Sequence, residues 1–294
     1  MDESAWLIER FEEHRTRLRA VAYRMLGSAS EADDAIQDAW LRLSRADTSS
    51  VESLGGWLTT VVARVCLNML RSRENRREEP LDVHVPDPIT GHESGVDPEQ
   101  EVLLADSVGL ALLVVLGTLT PAERLAFVLH DMFAVPFDEI GPMIERSPAA
   151  ARQLASRARR RVKGGAPVPD ADLTRQRRVV DAFLAATRGG DFDALVTLLH
   201  PDVVLRADRA VVPTPEPIVI RGAHTVAKGA MAATGRARFT GPALVNGAVG
   251  LVMGPRGWLF LVLGFTITDG KITEIDVIAD PDRLRQLDLA VLDD

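Results

Sequence analysis

The hydrophobic rhythm of this chain changes once, near residue 165, and that change sets what it can fold into. Before it, apolar residues recur every three or four positions, as at Leu7, Phe11, Leu18, Val21, Ala22 and Met25. That is the period of amphipathic helices. After the break "GGAPVPDAD" (164–172), one helical stretch, "LTRQRRVVDAFLAATRGG", gives way to β-rich runs. These are "DVVLRA", "PIVIRG", "ARFTGPALVNG", "AVGLVMG" and "GWLFLVLGFTITDGKITEIDVI". The "TDGK" turn at 268–271 predicts a hairpin. A second break at 78–98, rich in Pro, Gly and acids, reads as a linker. The chain is therefore multidomain: two all-α modules, 1–77 and 99–165, then a short linker at 166–172 and an α+β module at 173–294.

Local signals refine this outline. Ser30 is expected to cap the second helix, and "RADTSSVESLGG" (45–56) to form a loop before a helix starting at Trp57. Ser147 and Pro148 have the residue types of an N-cap and a first helical turn. Trp57, Phe127, Phe183, Trp258 and Phe260 are candidate core anchors. Cys66 is the only cysteine, which excludes an internal disulfide and a cysteine zinc cluster. No apolar run approaches the ~18 residues of a membrane span, and the acidic start is not a signal peptide. A soluble cytoplasmic protein is expected, with no cofactor, no metal site and no membrane partner.

Charge is distributed unevenly. The net charge is −8, with −11 over residues 81–145 and +7 over 146–167. The positive run is "SPAAARQLASRARRRVK" (147–163), preceded by a short helical segment and a break at "ERS". On a helical wheel Ala151, Leu154, Ala155, Ala158 and Val162 form a narrow apolar stripe. Arg152, Gln153, Arg157, Arg159, Arg160, Arg161 and Lys163 fill the remaining arc. A thin buried side and a broad basic side suit a DNA major groove. Arg152, Gln153 and Arg157, near the start, are candidate base readers. Arg159, Arg160, Arg161 and Lys163 are candidate phosphate clamps. An ordinary solvated amphipathic helix is the competing reading. The chain has 31 Arg and 3 Lys, so arginine by itself carries no weight.

Two further faces stand out in the first module. In "EADDAIQDAWLRL", Ala32, Ile36, Ala39, Trp40 and Leu43 should be buried, while Asp34, Gln37, Asp38 and Leu41 share the opposite face. That face suits protein docking or plain solvation. "WLTTVVARVCLNMLRSRENRR" ends in Arg71, Arg73, Arg76 and Arg77 beside a polar loop. Such an end can hold unpaired DNA, or can simply favour a helix C-terminus.

Taken in order and spacing, residues from about 5 to 163 resemble a bacterial extracytoplasmic-function (ECF) sigma factor of the sigma-70 family. "AYRMLGSASEADDAIQDAWLRL" resembles the helix that docks on the RNA polymerase β′ clamp, which implies core contacts by Asp34, Gln37, Asp38 and Leu41. The next segment resembles the minus-ten reader, implying that Asn68 and Arg71 and the Ser44–Ser53 loop capture the melted strand, with Arg73, Arg76 and Arg77 alongside. "LTPAERLAFVLHDMFAVPFDEIGPMIERSPAAARQLASRARRRV" resembles the minus-thirty-five domain. It implies promoter contacts by Arg152, Gln153 and Arg157 and, within the polymerase core, a second contact at the β flap. The resemblance also implies that the acids at 81–99 lie along the polymerase's nucleic-acid path.

The tail resembles a SnoaL-like, NTF2-type cone, as in the ECF group with such an extension, where it modulates the sigma core. "DVHVPDP" (82–88) takes the place of that group's linker motif without its tryptophan. "ADPDRL" (279–284) is similar to a second motif, and only "GPRGW" (254–258) stands where a glycine run is expected. His200, Asp202, His224 and Asp276 are candidate general bases, and His200, Asp276 and Trp258 the possible lining of a pocket for an unknown small ligand. No spacing among them fixes a mechanism, so the expectation is a non-catalytic protein. The alternative is a helix-turn-helix regulator fused to a small-molecule-binding or cyclase/isomerase-like domain.

Overall fold

The computed structural model describes residues 3–46, 51, 53–78, 109–164, 170–211 and 216–292. The expected linker beyond residue 78, with "DVHVPDP" and the 81–99 acids, lies outside them, as do most of the 166–172 linker and most of the loop at 47–52. The chain divides into two compact units, 1–104 with 119–159, and 105–118 with 160–294.

In the first unit, α1 (Glu3–Leu26), α2 (Ala29–Leu43) and α3 (Leu54–Glu78) pack together. Their heptad-like stripes bury Leu18, Met25, Leu43, Leu58, Val62 and Leu67. Phe11 meets Trp40 edge-on at 5.1 Å, which closes the outer end of the α1–α2 seam. Gly27, at φ 78°, ends α1 by donating its N–H to the Tyr23 carbonyl at 2.8 Å. That tight turn lets α2 start early, with Ser28 at the N-cap. Ser30 is thus inside the helix, its hydroxyl 3.2 Å from that of Ser28, and is not the cap.

The sequence-based start of α3 is also corrected. The helix begins at Leu54, so Gly55 and Gly56 lie in its first turn. The Gly56 N–H donates to Ser53 Oγ at 3.2 Å. Glycine in a helix costs roughly 1 kcal/mol against alanine, so tertiary packing must require it here. A Cβ on Gly55 would stand 2.9 Å from the His14 ring. Trp57 is half-buried. Cys66 is sealed in the α1–α3 core, and burial pushes its thiol up to about 12.

After α4 (Leu110–Gly117), which groups with the second unit, the first unit resumes with α5 (Pro121–Phe127), a π-helical turn (Val128–Met132), α6 (Phe137–Met143) and α7 (Pro148–Lys163) as far as Arg159. Thr120 and Glu123 form a capping box at the start of α5. Arg124 is 4% exposed and donates from Nε to the Arg24 carbonyl at 3.1 Å. Burial, with Arg73 nearby, pushes its guanidinium down to about 9. Its Nη2 has no hydrogen-bond acceptor among the described residues.

The second unit holds α8 (Asp170–Gly189), α9 (Phe192–Leu198), β1 (Leu199–Ala207), β2 (Ile218–Arg221), α10 (Ala223–Ala232), α11 (Thr234–Ala237), β3 (Thr240–Val245), β4 (Ala248–Met253), β5 (Leu261–Thr268), β6 (Lys271–Ile278), α12 (Pro281–Arg285) and β7 (Leu289–Ala290). The sheet order is β2-β1-β6-β5-β4-β3-β7. Only β1–β6 pair in parallel; every other neighbour is antiparallel. The predicted "TDGK" hairpin is present, with Asp269 and Gly270 both at positive φ. Asn246–Gly247 makes the same turn between β3 and β4.

Strand alternation gives the sheet two apolar faces. One packs Val249, Leu251 and Ile275 against Val180, Phe183 and Val226 of the helices. The other packs Ala243, Val252, Val262 and Ile278 against Ala111, Val114 and Val115 of α4. The sequence of α4, "LALLVVLG", has no polar face, so it needs cover all round. Glycines allow the close approach: a Cβ on Gly254 would overlap Val114, and one on Gly117 would stand 2.7 Å from the Gly257 carbonyl oxygen. The compact units therefore cut the chain differently from the 99–165 and 173–294 division drawn from composition.

Native protein at pH 8 should resist thiol reagents at Cys66 until denaturant unfolds the first unit. Rapid stoichiometric labelling without denaturant would contradict the sealed core.

Candidate nucleic-acid interface

The α6–α7 pair is a helix-turn-helix whose turn is set by backbone contact. Gly141 lies inside α6 against the turn: a Cβ there would be 2.8 Å from the Arg146 carbonyl oxygen. Glu145 turns the chain at φ 57°. Ser147 caps α7, its Oγ accepting from the Ala150 N–H at 3.2 Å, with Pro148 next as the sequence suggests. Ala151, Ala155 and Ala158 are each fully buried, while Leu154 and Val162 are half-buried. The small-residue stripe thus faces inward.

The opposite arc is exposed at Arg152, Gln153, Arg157 and Arg160. Its arginines are not equivalent. Arg152 lies over the Phe137 ring, 5.3 Å from the centroid, which positions it without neutralising it. Arg157 pairs loosely with Glu123 at 3.6 Å and keeps over half its surface in solvent. Arg159 is held by Asp131 at 2.6 Å and is half-buried. Arg160 has no ion pair among the described residues. Charge available to an anion is greatest at Arg152 and Arg160 and least at Arg159.

On α3, Asn68 and Arg71 are exposed and one turn apart. Arg73 departs from this face. It turns inward to an ion pair with Glu31 and donates to the Leu26 carbonyl at 3.3 Å, because the α1–α2 corner leaves a carbonyl and a carboxylate to satisfy. Arg76 and Arg77 fall on α3, but their side chains lie outside the described residues. Arg64, not singled out in the sequence, is exposed on the same face as Asn68 and Arg71 and donates to the Pro142 carbonyl at 3.4 Å.

On α2, Asp34, Gln37 and Leu41 are exposed, and Leu41 keeps 44% of its surface in solvent. Asp38, on the same face, is paired with Arg42 at 3.0 Å. Asp34 carries no ion pair among the described residues, so it is the free carboxylate beside the exposed leucine.

The tail candidates do not gather. Asp276 stands opposite Arg206 in the β1–β6 register, while Leu199, next to His200, stands opposite Ile272, four residues and so about 13 Å along β6 from Asp276. Asp276 alternates with Ile275 and Val277, which face the helix-covered core, so it faces the other side of the sheet. His200 Nδ1 accepts the Asp202 N–H at 3.2 Å, a local turn bond. Exposed His224 tilts against Phe192, and Trp258 is half-buried near the 3-10 turn Pro255–Gly257. The described residues contain no group of three or more metal-ligating side chains.

Two family models match the chain, sigma-70 region 2 over residues 10–76 and sigma-70 region 4 over 109–162. The ECF RNA polymerase sigma factor SigJ of Mycobacterium tuberculosis H37Rv is 38% identical, covering 94% of this chain and 92% of that protein. The probable ECF RNA polymerase sigma factor SigI of M. tuberculosis CDC 1551 is 35% identical, with 93% of each chain covered. The crystal structure of M. tuberculosis SigJ aligns at a TM-score of 0.44 and 34% identity, covering 94% of this chain and 98% of that one.

Gly141→Ala should lower the melting temperature, although alanine is the better helix former by roughly 1 kcal/mol. Thermal unfolding followed by circular dichroism checks this; a raised temperature would mean the turn yields easily.

Proposed function

Because the chain belongs to the ECF sigma factors, which direct RNA polymerase to promoters, we propose that its three exposed faces divide that task. The outer arc of α7 reads the minus-thirty-five element, with Arg152, Gln153 and Arg157 toward bases and Arg160 on phosphate. The α3 face of Asn68 and Arg71 receives the melted minus-ten strand. Asp34, Gln37 and Leu41 dock α2 on the β′ clamp, and the second helical region meets the β flap. The observation that carries this is the orientation of α7: its alanine stripe is sealed and its basic arc is open. A helix-turn-helix regulator fused to an enzyme is not favoured, since region 2 has no place in such a protein.

The tail acts as a regulator of the sigma regions and not as a catalyst. Its SnoaL-like character rests on the sequence resemblance and on one helix-covered face of a mixed sheet. Dispersal of His200, Trp258 and Asp276 argues against a shared reaction centre. Support for regulation comes from α4. It lies within the region 4 match, yet it packs on the tail's sheet through Val114, Gly117 and Gly254. No described helix is long and apolar enough to cross a membrane, and the protein works where the polymerase does, in the cytoplasm.

Purified chain added to core polymerase should give promoter-specific transcription, and no stimulation would refute the assignment. Leu41→Arg should cut core capture at least tenfold. Arg152→Ala should cost about 1–3 kcal/mol of promoter binding and relax specificity at one base pair, whereas Arg160→Ala should weaken all sequences alike. Gly254→Val should unseat α4 and change promoter output while helix content is kept. Unchanged output from a folded Gly254→Val protein would count against regulation by the tail. This is a cleaner test than truncation near residue 165, which also strips the cover from α4.

A further inference from the structure

A cleft of about 460 Å³ opens between α1 and the first turn of α3. One wall carries Arg10, His14 and Arg17, at positions i, i+4 and i+7 on a single face of α1. The other wall is Ser53 with the bare backbone of Gly55 and Gly56. Among the described residues no carboxylate lines it. Arg10 meets Glu13 at 3.0 Å in an exposed pair that water and salt screen. Arg17 donates to the Phe133 carbonyl at 3.2 Å, a neutral acceptor that leaves its charge intact. The glycines make the cleft possible: the His14 ring rests where a Gly55 side chain would be. The size is that of a small-ligand site, and the lining selects an anion. The cleft reaches Ser53, at the entrance to α3.

The geometry points to a phosphate-binding site in this cleft, occupied by a backbone phosphate of the unpaired promoter strand. Arg10 supplies charge and donors, His14 a ring nitrogen within reach, and Gly55 and Gly56 admit the sugar-phosphate chain close to the helix. This rests on the reading that the neighbouring α3 face receives the melted strand. The contact is indifferent to base identity, unlike that of Asn68.

The test uses the full chain bound to core polymerase and a fluorescent single-stranded oligonucleotide spanning the minus-ten region. Arg10→Gln with His14→Gln should weaken binding about three- to tenfold for every sequence and reduce the salt slope by about 0.7, the value for one phosphate on a single strand. Replacing linkages one at a time by neutral methylphosphonates should reveal one position that costs wild type the same factor and costs the double variant nothing more. Gly55→Ala, which displaces His14, should reproduce the loss. Equal affinity of wild type and folded double variant would overturn the cleft assignment and leave the α3 reading intact. Failure of wild-type holoenzyme to bind the strand would overturn both. Calorimetry of the full chain with inorganic phosphate is the second arm. Saturable binding lost in the double variant, with no sensitive linkage in the oligonucleotide, would assign the cleft to free phosphate and overturn the DNA occupant.

Discussion

The proposed DNA-reading surface depends on three alanine methyl groups. Ala151, Ala155 and Ala158 are all fully buried, and they lie three or four residues apart on α7. Small side chains let the helix approach its neighbours closely, so little of its circumference is used up in burial. What remains is a wide arc on which Arg152, Arg157 and Arg160 stay exposed. Larger residues at those positions would lift the helix and tilt the arc. Gly141 does the same for the turn before α7, where main chain meets main chain. The exposed basic arc is arranged chiefly by where side chains are missing.

Arginine has a second use in the first unit, as a donor to main-chain carbonyls. Arg17, Arg64, Arg73 and Arg124 each donate to a carbonyl oxygen remote in sequence. A guanidinium has several N–H groups in a fixed fork and suits this role. The cost is visible at Arg124, buried with a carbonyl as partner where a carboxylate would balance its charge. Unpaired buried charge opposes folding, and the lowered proton affinity of that side chain expresses the same opposition.

The sequence revealed faces better than partners. The α7 stripe was legible because its period is local and its residue types unambiguous. The hairpin at Asp269–Gly270 was legible from four letters, since only residues tolerant of positive φ make that turn. Arg73 and Arg159 looked like members of exposed basic runs, and only the fold brings Glu31 and Asp131 to them. The start of α3 was read late because Gly55 and Gly56 signal a break unless one knows that His14, some forty positions earlier, lies against them. The seat of α4 could not be read either: an all-apolar helix announces burial but names no neighbour.

The compactness of the first unit has a mechanical consequence. A globule of its length has a radius of gyration near ~15 Å. Sites centred at minus ten and minus thirty-five are about 25 base pairs apart, or about 85 Å of straight duplex at ~3.4 Å per step. One such globule cannot span both, so if α3 receives the minus-ten strand and α7 the minus-thirty-five element, as proposed, the two must separate before a promoter is held at both ends. The ties that would then break are the ones from Arg17, Arg64 and Arg124 to carbonyls across the seam. Arg17 and Arg64 are already in solvent, but Arg124 would regain its hydration on release, so parting the seam returns part of its own energetic cost to the solvent.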